Sequence, residues 1–174
     1  MGPEGFRART GVDSRGDADD TVSHGGTAAR SALLMVYVDT SVLVALCVNE
    51  PRSPAVSQWY AACTDEMASA TWCVTEFASA LGIKKRTKQL SAEQGASAWQ
   101  AFERLCAGDL QLLPVEPYTF HRAAVLTLDA SMGLRAGDAL HLASALEAKA
   151  KAMATLDDVL ARNAKRMRIK PLEF

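Results

Sequence analysis

The sequence predicts an α/β protein: a three-layer α/β/α arrangement around a central, mainly parallel sheet. Two observations carry this. From Met35 onward, short apolar runs rich in strand formers alternate with helix-length segments. Strand-then-helix repetition of that kind packs helices on both faces of a parallel sheet. In such sheets the functional crevice lies beyond the carboxyl ends of the strands.

The elements follow in order. Met35-Val36-Tyr37-Val38 is a first strand, closed by Asp39-Thr40-Ser41, where Thr40 or Ser41 is expected to cap a helix from Val42 to Asn49. Pro51 and Pro54 punctuate before a helix from Ala55 to Cys63. Met67 to Ala70 reads as a second strand, and Thr71 caps a long helix through Glu76 to about Lys88. Ser91-Ala92-Glu93-Gln94 has the spacing of a capping box and opens a helix to Cys106, which Gly108 is expected to stop. Leu110 to Val115 is a third strand, and Pro117 to about Leu128 is helical. Gly137-Asp138 begins a helix over Ala139 to Lys149, Ala152 to Thr155 is a strand, Asp158 to Arg166 is a helix, and Ile169 to Phe174 is a final edge strand.

The first 34 residues differ, with six glycines, scattered Arg and Asp, and almost no hydrophobic pattern. They are expected to form a disordered N-terminal extension, dispensable for folding, with Met35 as a natural start and 35–174 as one domain. A chain of 174 residues, 49% hydrophobic and 22% charged, is long enough for one sizeable core. No apolar run is long enough to span a bilayer, and Asp39 interrupts the richest one, so no membrane segment or signal peptide is expected. Cys47, Cys63, Cys73 and Cys106 form no C-x-x-C pair and read as reduced core thiols of a cytoplasmic protein. The net charge of -1 excludes a global basic field, so any nucleic-acid contact must rest on local patches.

Four acids resist a purely structural account. Asp39 and Asp157 follow apolar strands directly and so project from carboxyl strand ends, while Glu76 and Asp138 sit early in helices among core-like neighbours. Taken singly, each has a structural alternative: Asp39 as a turn residue, Asp157 as a helix cap, Asp138 as a complement to a helix dipole. Glu76 is the hardest to explain that way. Burying unpaired carboxylates costs several kcal/mol (on the order of 3 or more), so a converged set needs counter-charge. A carboxylate set without a His pair or a thiolate favours hard ions, Mg²⁺ or Mn²⁺ over Zn²⁺. Such ions lower the pKa of a water and neutralise the leaving oxygen of a phosphodiester. Thr40, Ser41 and Thr155 stand close enough in sequence to orient the strand-end acids.

Met35-Val36-Tyr37-Val38-Asp39-Thr40-Ser41-Val42-Leu43 resembles the opening of a PIN domain, and Thr75-Glu76 its second acid. Leu134-Arg135-Ala136-Gly137-Asp138-Ala139-Leu140-His141-Leu142-Ala143-Ser144-Ala145 resembles the third motif of VapC-type toxins, and Ala154-Thr155-Leu156-Asp157 the fourth. The resemblance spans 35–174. It implies a PIN-like sandwich and a Mg²⁺-dependent endoribonuclease, dimeric, and the toxin half of a toxin–antitoxin pair. It places Asp39, Glu76, Asp138 and Asp157 as the catalytic, metal-holding acids, with Asp157 preferred over Asp158 by its spacing from Thr155.

Other residues are weighed beside these. His141 reads as a buried, hydrogen-bonded packing residue in preference to a metal ligand, since no second His stands at ligand spacing. Lys84, Lys85 and Arg86, with Lys88, suit either RNA-backbone contact or a helix carboxyl end favoured by the macrodipole. Lys165, Arg166, Arg168 and Lys170 carry the same two readings. Arg135 is a candidate for binding phosphate or restraining the acids. Trp59, Trp72 and Trp99 read as core or dimer contacts. The rival functions are a strand-end Asp phosphatase, disfavoured because Ser41 stands where a second acid is needed, a housekeeping PIN RNA-processing nuclease, and a non-catalytic PIN-like binding module.

Overall fold

The computed structural model describes residues 34–174. The expected N-terminal extension lies outside these residues except for Leu34, whose carbonyl accepts from Glu66 N–H at 3.1 Å next to the first central strand pair. Five strands, β1 (Met35–Val38), β2 (Glu66–Ala70), β3 (Leu110–Leu113), β4 (Ala152–Ala154) and β5 (Lys170–Pro171), form one sheet in the order β3-β2-β1-β4-β5. Every pairing is parallel, as the alternation of strands and helices predicts. Seven α-helices connect them among the described residues: α1 (Thr40–Cys47), α2 (Ser53–Ala62), α3 (Trp72–Arg86), α4 (Ala92–Gly108), α5 (Pro117–Leu128), α6 (Ala136–Glu147) and α7 (Asp158–Arg166). None is long and apolar enough to cross a membrane.

Because side chains alternate across a strand, β1 supplies both cores. Val36 and Val38 join Leu43, Phe77 and Phe102 on the face covered by α1 to α4. Tyr37 joins Leu140, Leu142, Met153 and Leu160 on the face covered by α5 to α7. The Phe77 and Phe102 rings stack with centroids 4.2 Å apart. Each such side chain, fully buried, contributes about 1.5–3 kcal/mol. Cys73 lies in the first core, where burial pushes its thiol up to about 12, and none of the four cysteines is disulfide-bonded.

Helix starts follow local chemistry. Ser91 and Gln94 make the expected capping box of α4: Ser91 Oγ accepts from Gln94 N–H at 3.2 Å, and Gln94 Oε1 accepts from Ser91 N–H at 2.8 Å. Two expected caps are corrected. Thr40 and Ser41 lie inside α1, whose N-cap position is Asp39, and their hydroxyls donate to carboxylates and cap none of the amides of α1. Thr71 takes the N-cap position of α3 but its side chain makes no capping bond. Helix α4 ends at Gly108 itself, two residues past the expected Cys106, with Asp109 in the C-cap position. Strand β3 ends at Leu113, next to Pro114, and Pro171 sits in the edge strand β5 without breaking its ladder, because the amides on either side, Lys170 and Leu172 N–H, bond Lys151 O and Met153 O at 3.0 and 2.9 Å.

Helices α3, α6 and α7 close alike. Lys88, Lys149 and Arg168 take left-handed φ values of 59°, 55° and 64° just past their ends. The amide of the next residue then reaches back to the last turn, as Ala150 N–H does to Ala145 O at 3.0 Å. The basic residues at the ends of α3 and α7 therefore sit where the helix dipole favours them.

Candidate active site

The strand order reverses direction at β1: β2 and β3 extend to one side, β4 and β5 to the other. The crevice beyond the carboxyl ends of β1 and β4 is therefore a topological switch point, the usual ligand position in an open α/β sheet. Asp39 follows β1 directly, and its N–H bonds Ala154 O of β4 at 2.9 Å. Asp157 follows β4 after Thr155 and Leu156, and caps α7 by accepting from Leu160 N–H at 2.7 Å. Glu76 stands one turn into α3, which leaves β2, and Asp138 stands in the first turn of α6. All four line one open cavity of about 500 Å³, together with Thr40, Ser41, Glu50 and Ser79.

Each carboxylate has one oxygen tied to the protein. Ser41 Oγ and Thr155 Oγ1 donate to Asp39 Oδ2 at 2.6 and 2.8 Å. Thr40 Oγ1 donates to Glu76 Oε2 at 2.7 Å, and His141 Nε2 donates to the same oxygen at 2.5 Å. Asp138 Oδ2 accepts from Arg135 N–H at 3.3 Å, and Asp157 uses Oδ1 for its cap. The hydroxyls are themselves fixed, since Leu156 N–H donates to Ser41 Oγ at 2.9 Å and Asp157 N–H to Thr155 Oγ1 at 3.0 Å. Thr40, Ser41 and Thr155 thus bond site acids, but only Ser41 bonds the acid beside it in sequence; Thr40 holds Glu76 and Thr155 holds Asp39 across the site. Arg135 contributes its backbone amide to this arrangement.

The charges press on one another. Burial raises the Asp138 carboxyl above its ordinary value, and the charges of Asp157, Asp39 and Glu76 add to the rise. Burial also acts to raise Glu76, but the hydrogen bond and charge of His141, with the Thr40 hydroxyl, hold it below the ordinary carboxylate range. Burial acts to lower His141, and the bond to Glu76 with the charges of Asp39, Glu76 and Asp138 outweighs it, raising the imidazole. Among the described residues, no Lys or Arg lines the cavity. Lys84 approaches its edge, where it forms an ion pair with Glu50.

This donor set fits a divalent cation. Four carboxylates line the cavity with one protein-bonded oxygen apiece, and His141, the base behind Glu76, can offset at most one of their charges. Asp39, Glu76 and His141 present ligand atoms within 4.8 Å of one another. His141 is buried and hydrogen-bonded, as its sequence context suggests, but its partner is a site carboxylate, so it belongs to the site rather than to general packing. Its three-residue spacing from Asp138 on α6 is the signal in the sequence that could have found it. Glu50 carries no such signal, because it sits in a loop after α1 with no patterned neighbours.

Gly137 completes the geometry. A Cβ built there would lie 2.5 Å from Glu76 Oε1, so only glycine leaves room for that carboxylate. Of the basic candidates, Lys84 stands at the cavity edge, whereas Lys85 lays its aliphatic stem over Gly95 of α4. Arg86 is exposed at the end of α3.

Solved structures share this fold. VapC20 of Mycobacterium tuberculosis, described as a sarcin-ricin loop cleaving toxin, superposes with a TM-score of 0.61 at 15% identity, covering 74% of this chain and 94% of that one. FitAcB from Neisseria gonorrhoeae gives 0.60 at 18% identity, covering 80% and 97%. A toxin-antitoxin complex from Klebsiella pneumoniae gives 0.52 at 15% identity, covering 79% and 96%. No curated protein matches the sequence. The PIN domain family model matches residues 36–166. With three-quarters of its length so matched and its acids gathered at the sheet's switch point, the chain belongs to the PIN domain family.

Proposed function

We propose that this PIN domain is a metal-dependent endoribonuclease and the toxin of a toxin–antitoxin pair. The observation that carries the reading is the meeting of Asp39, Glu76, Asp138 and Asp157 in one cavity at the switch point, with no Lys or Arg in its lining among the described residues. Solved relatives that are a loop-cleaving toxin and a toxin-antitoxin complex support the same biological role. Asp39, Glu76, Asp138 and Asp157 are the catalytic and metal-holding acids in this reading. Mg²⁺ or Mn²⁺ bound by them would supply Lewis-acid charge for activating water and stabilising the leaving oxygen of a phosphodiester.

The chain's own contribution is orientation. Ser41 and Thr155 hold Asp39 Oδ2, which fixes the position of Oδ1. Thr40 and His141 hold Glu76 Oε2 in the same way. Preset carboxylates avoid the reorganisation that mobile ones would need at the moment of reaction. Lys84 is the basic side chain best placed to meet an RNA backbone, by leaving Glu50 for a phosphate at the cavity edge, and Lys85 and Arg86 are the further cations of the same helix end, on other faces. The direct test is cleavage of a structured RNA by the full chain with Mg²⁺ or Mn²⁺ and then with excess chelator. Activity is expected to vanish with chelator and return with added ion; full activity without ions overturns the metal reading.

The partners belong to the same reading. Exposed apolar side chains collect on α5, where Tyr118, Phe120, Val125 and Leu128 are 51–84% exposed. An apolar stripe of this kind supports association, here a homodimer with a small antitoxin covering the acidic cleft through a basic side chain. Sedimentation of the chain co-expressed with its neighbouring gene is expected to give a complex larger than the monomer. A monomer with no bound small protein contradicts this part.

A further inference from the structure

Beneath the acidic cavity lies a buried chain of polar groups. Ala70 N–H, at the end of β2, donates to the Tyr37 hydroxyl at 3.0 Å. That hydroxyl is hydrogen-bonded to His141 Nδ1 at 2.8 Å, and His141 Nε2 donates to Glu76 Oε2. The Tyr37 and His141 rings meet edge to face with centroids 5.8 Å apart, which fixes the imidazole plane. Tyr37 is 0% and His141 1% exposed. The chain runs from β2 through β1 and α6 to α3, and Thr40 of α1 joins it at its last member.

We propose that Tyr37 and His141 are positioning residues that aim Glu76 at the metal ion, an inference that rests on the metal-site reading above. Two donors on Oε2 set the carboxylate's rotation, and that rotation sends Oε1 over Gly137, the one neighbour without a Cβ. Without the His141 donor, Glu76 keeps one bond from a rotatable hydroxyl and can turn away from its neighbours. Tyr37 acts one step further back, holding the ring by Nδ1 so that Nε2 faces the acid. Groups bonded to a metal's ligands commonly change metal affinity by about 10- to 100-fold when removed. A purely structural account has the opposite signature: if His141 only filled space under α6, an apolar side chain of similar bulk would serve better than a polar one.

The test is Mn²⁺ binding by the full chain, measured by calorimetry at one fixed pH. His141→Leu fills the volume but removes the donor; His141→Gln keeps an N–H at similar reach. About tenfold weaker binding is expected for His141→Leu and near-wild-type binding for His141→Gln. In a Glu76→Gln background, His141→Leu is expected to add nothing further, because the acid it orients is gone. Wild-type affinity in His141→Leu, equal losses in both His141 variants, or full additivity with Glu76→Gln overturns the proposal. An unchanged affinity in Glu76→Gln alone overturns the metal-site reading, and this proposal with it. Should His141→Leu not fold, Tyr37→Phe preserves volume and carries the test, with a loss of about threefold expected and wild-type affinity contradicting it.

Discussion

Replacing Asp39 with Asn is expected to reduce RNA cleavage by about 10³-fold while leaving the fold intact. Asn presents the same shape, and its carbonyl oxygen can still accept from Ser41 and Thr155, which hold Asp39 Oδ2 at 2.6 and 2.8 Å. What disappears is a charge at the carboxyl end of β1, and an ion lost from such a site forfeits several kcal/mol of transition-state stabilisation (about 4 for a 10³-fold effect). Stability is expected to move the other way. The ion-free cavity sets four carboxylates together, and burial first, then the charges of Asp157, Asp39 and Glu76, raise the Asp138 carboxyl. Asp39→Asn removes one of those charges, so thermal melting without ions should show an unchanged or higher Tm. A variant that has lost activity because it is unfolded would contradict this account.

Gly137→Ala is the second large effect. The new methyl would stand 2.5 Å from Glu76 Oε1, well inside contact distance. Elsewhere a flexible acid could swing aside at little cost, but here Thr40 and His141 hold its other oxygen. Either the helix start of α6 shifts or Glu76 gives up those bonds, at a cost of about 1–3 kcal/mol. Displacing Glu76 should lower cleavage by about 10- to 100-fold, comparable with losing a group that orients a metal ligand. Melting and cleavage rate, measured together, check this. Wild-type activity in Gly137→Ala would mean that Glu76 has no fixed role.

Much of this arrangement is legible in the residues alone. Asp39 and Asp157 directly follow apolar strand runs, and a parallel sheet sends both into the same crevice. Ser91 and Gln94 announce a capping box by spacing, and the structure has it. The bond from Ser41 to Asp39 follows from their adjacency, whereas Thr40 reaches Glu76 and Thr155 reaches Asp39 only through the fold. Other features rest on contacts between distant residues. His141 and Glu76 are 65 positions apart, and His141 and Tyr37 104. A single His in an apolar helix therefore reads as packing. The same distance effect hides the Lys84–Glu50 pair, which takes a cation expected for RNA and gives it a protein partner at rest. Thr40 and Ser41 suggest caps because hydroxyls at a strand-to-helix turn usually bond backbone amides; the nearby carboxylates are the stronger acceptors. Gly137, which reads as a helix-start residue, proves to be room left for Glu76.

The central claim is hydrolysis of RNA by water at an acid-held metal site, and the chemistry of the product ends tests it most directly. Cleavage needs a nucleophile in line with the leaving oxygen. When water fills that role, the ribose 2′-hydroxyl does not. Limited digestion of a structured RNA by the full chain with Mg²⁺ or Mn²⁺, followed by mapping of both ends at each cut, distinguishes the two. The account predicts 5′-phosphate and 3′-hydroxyl ends at unpaired or loop positions, where bases are open to recognition. Cuts confined to perfect duplex, or 2′,3′-cyclic phosphate ends, would contradict it.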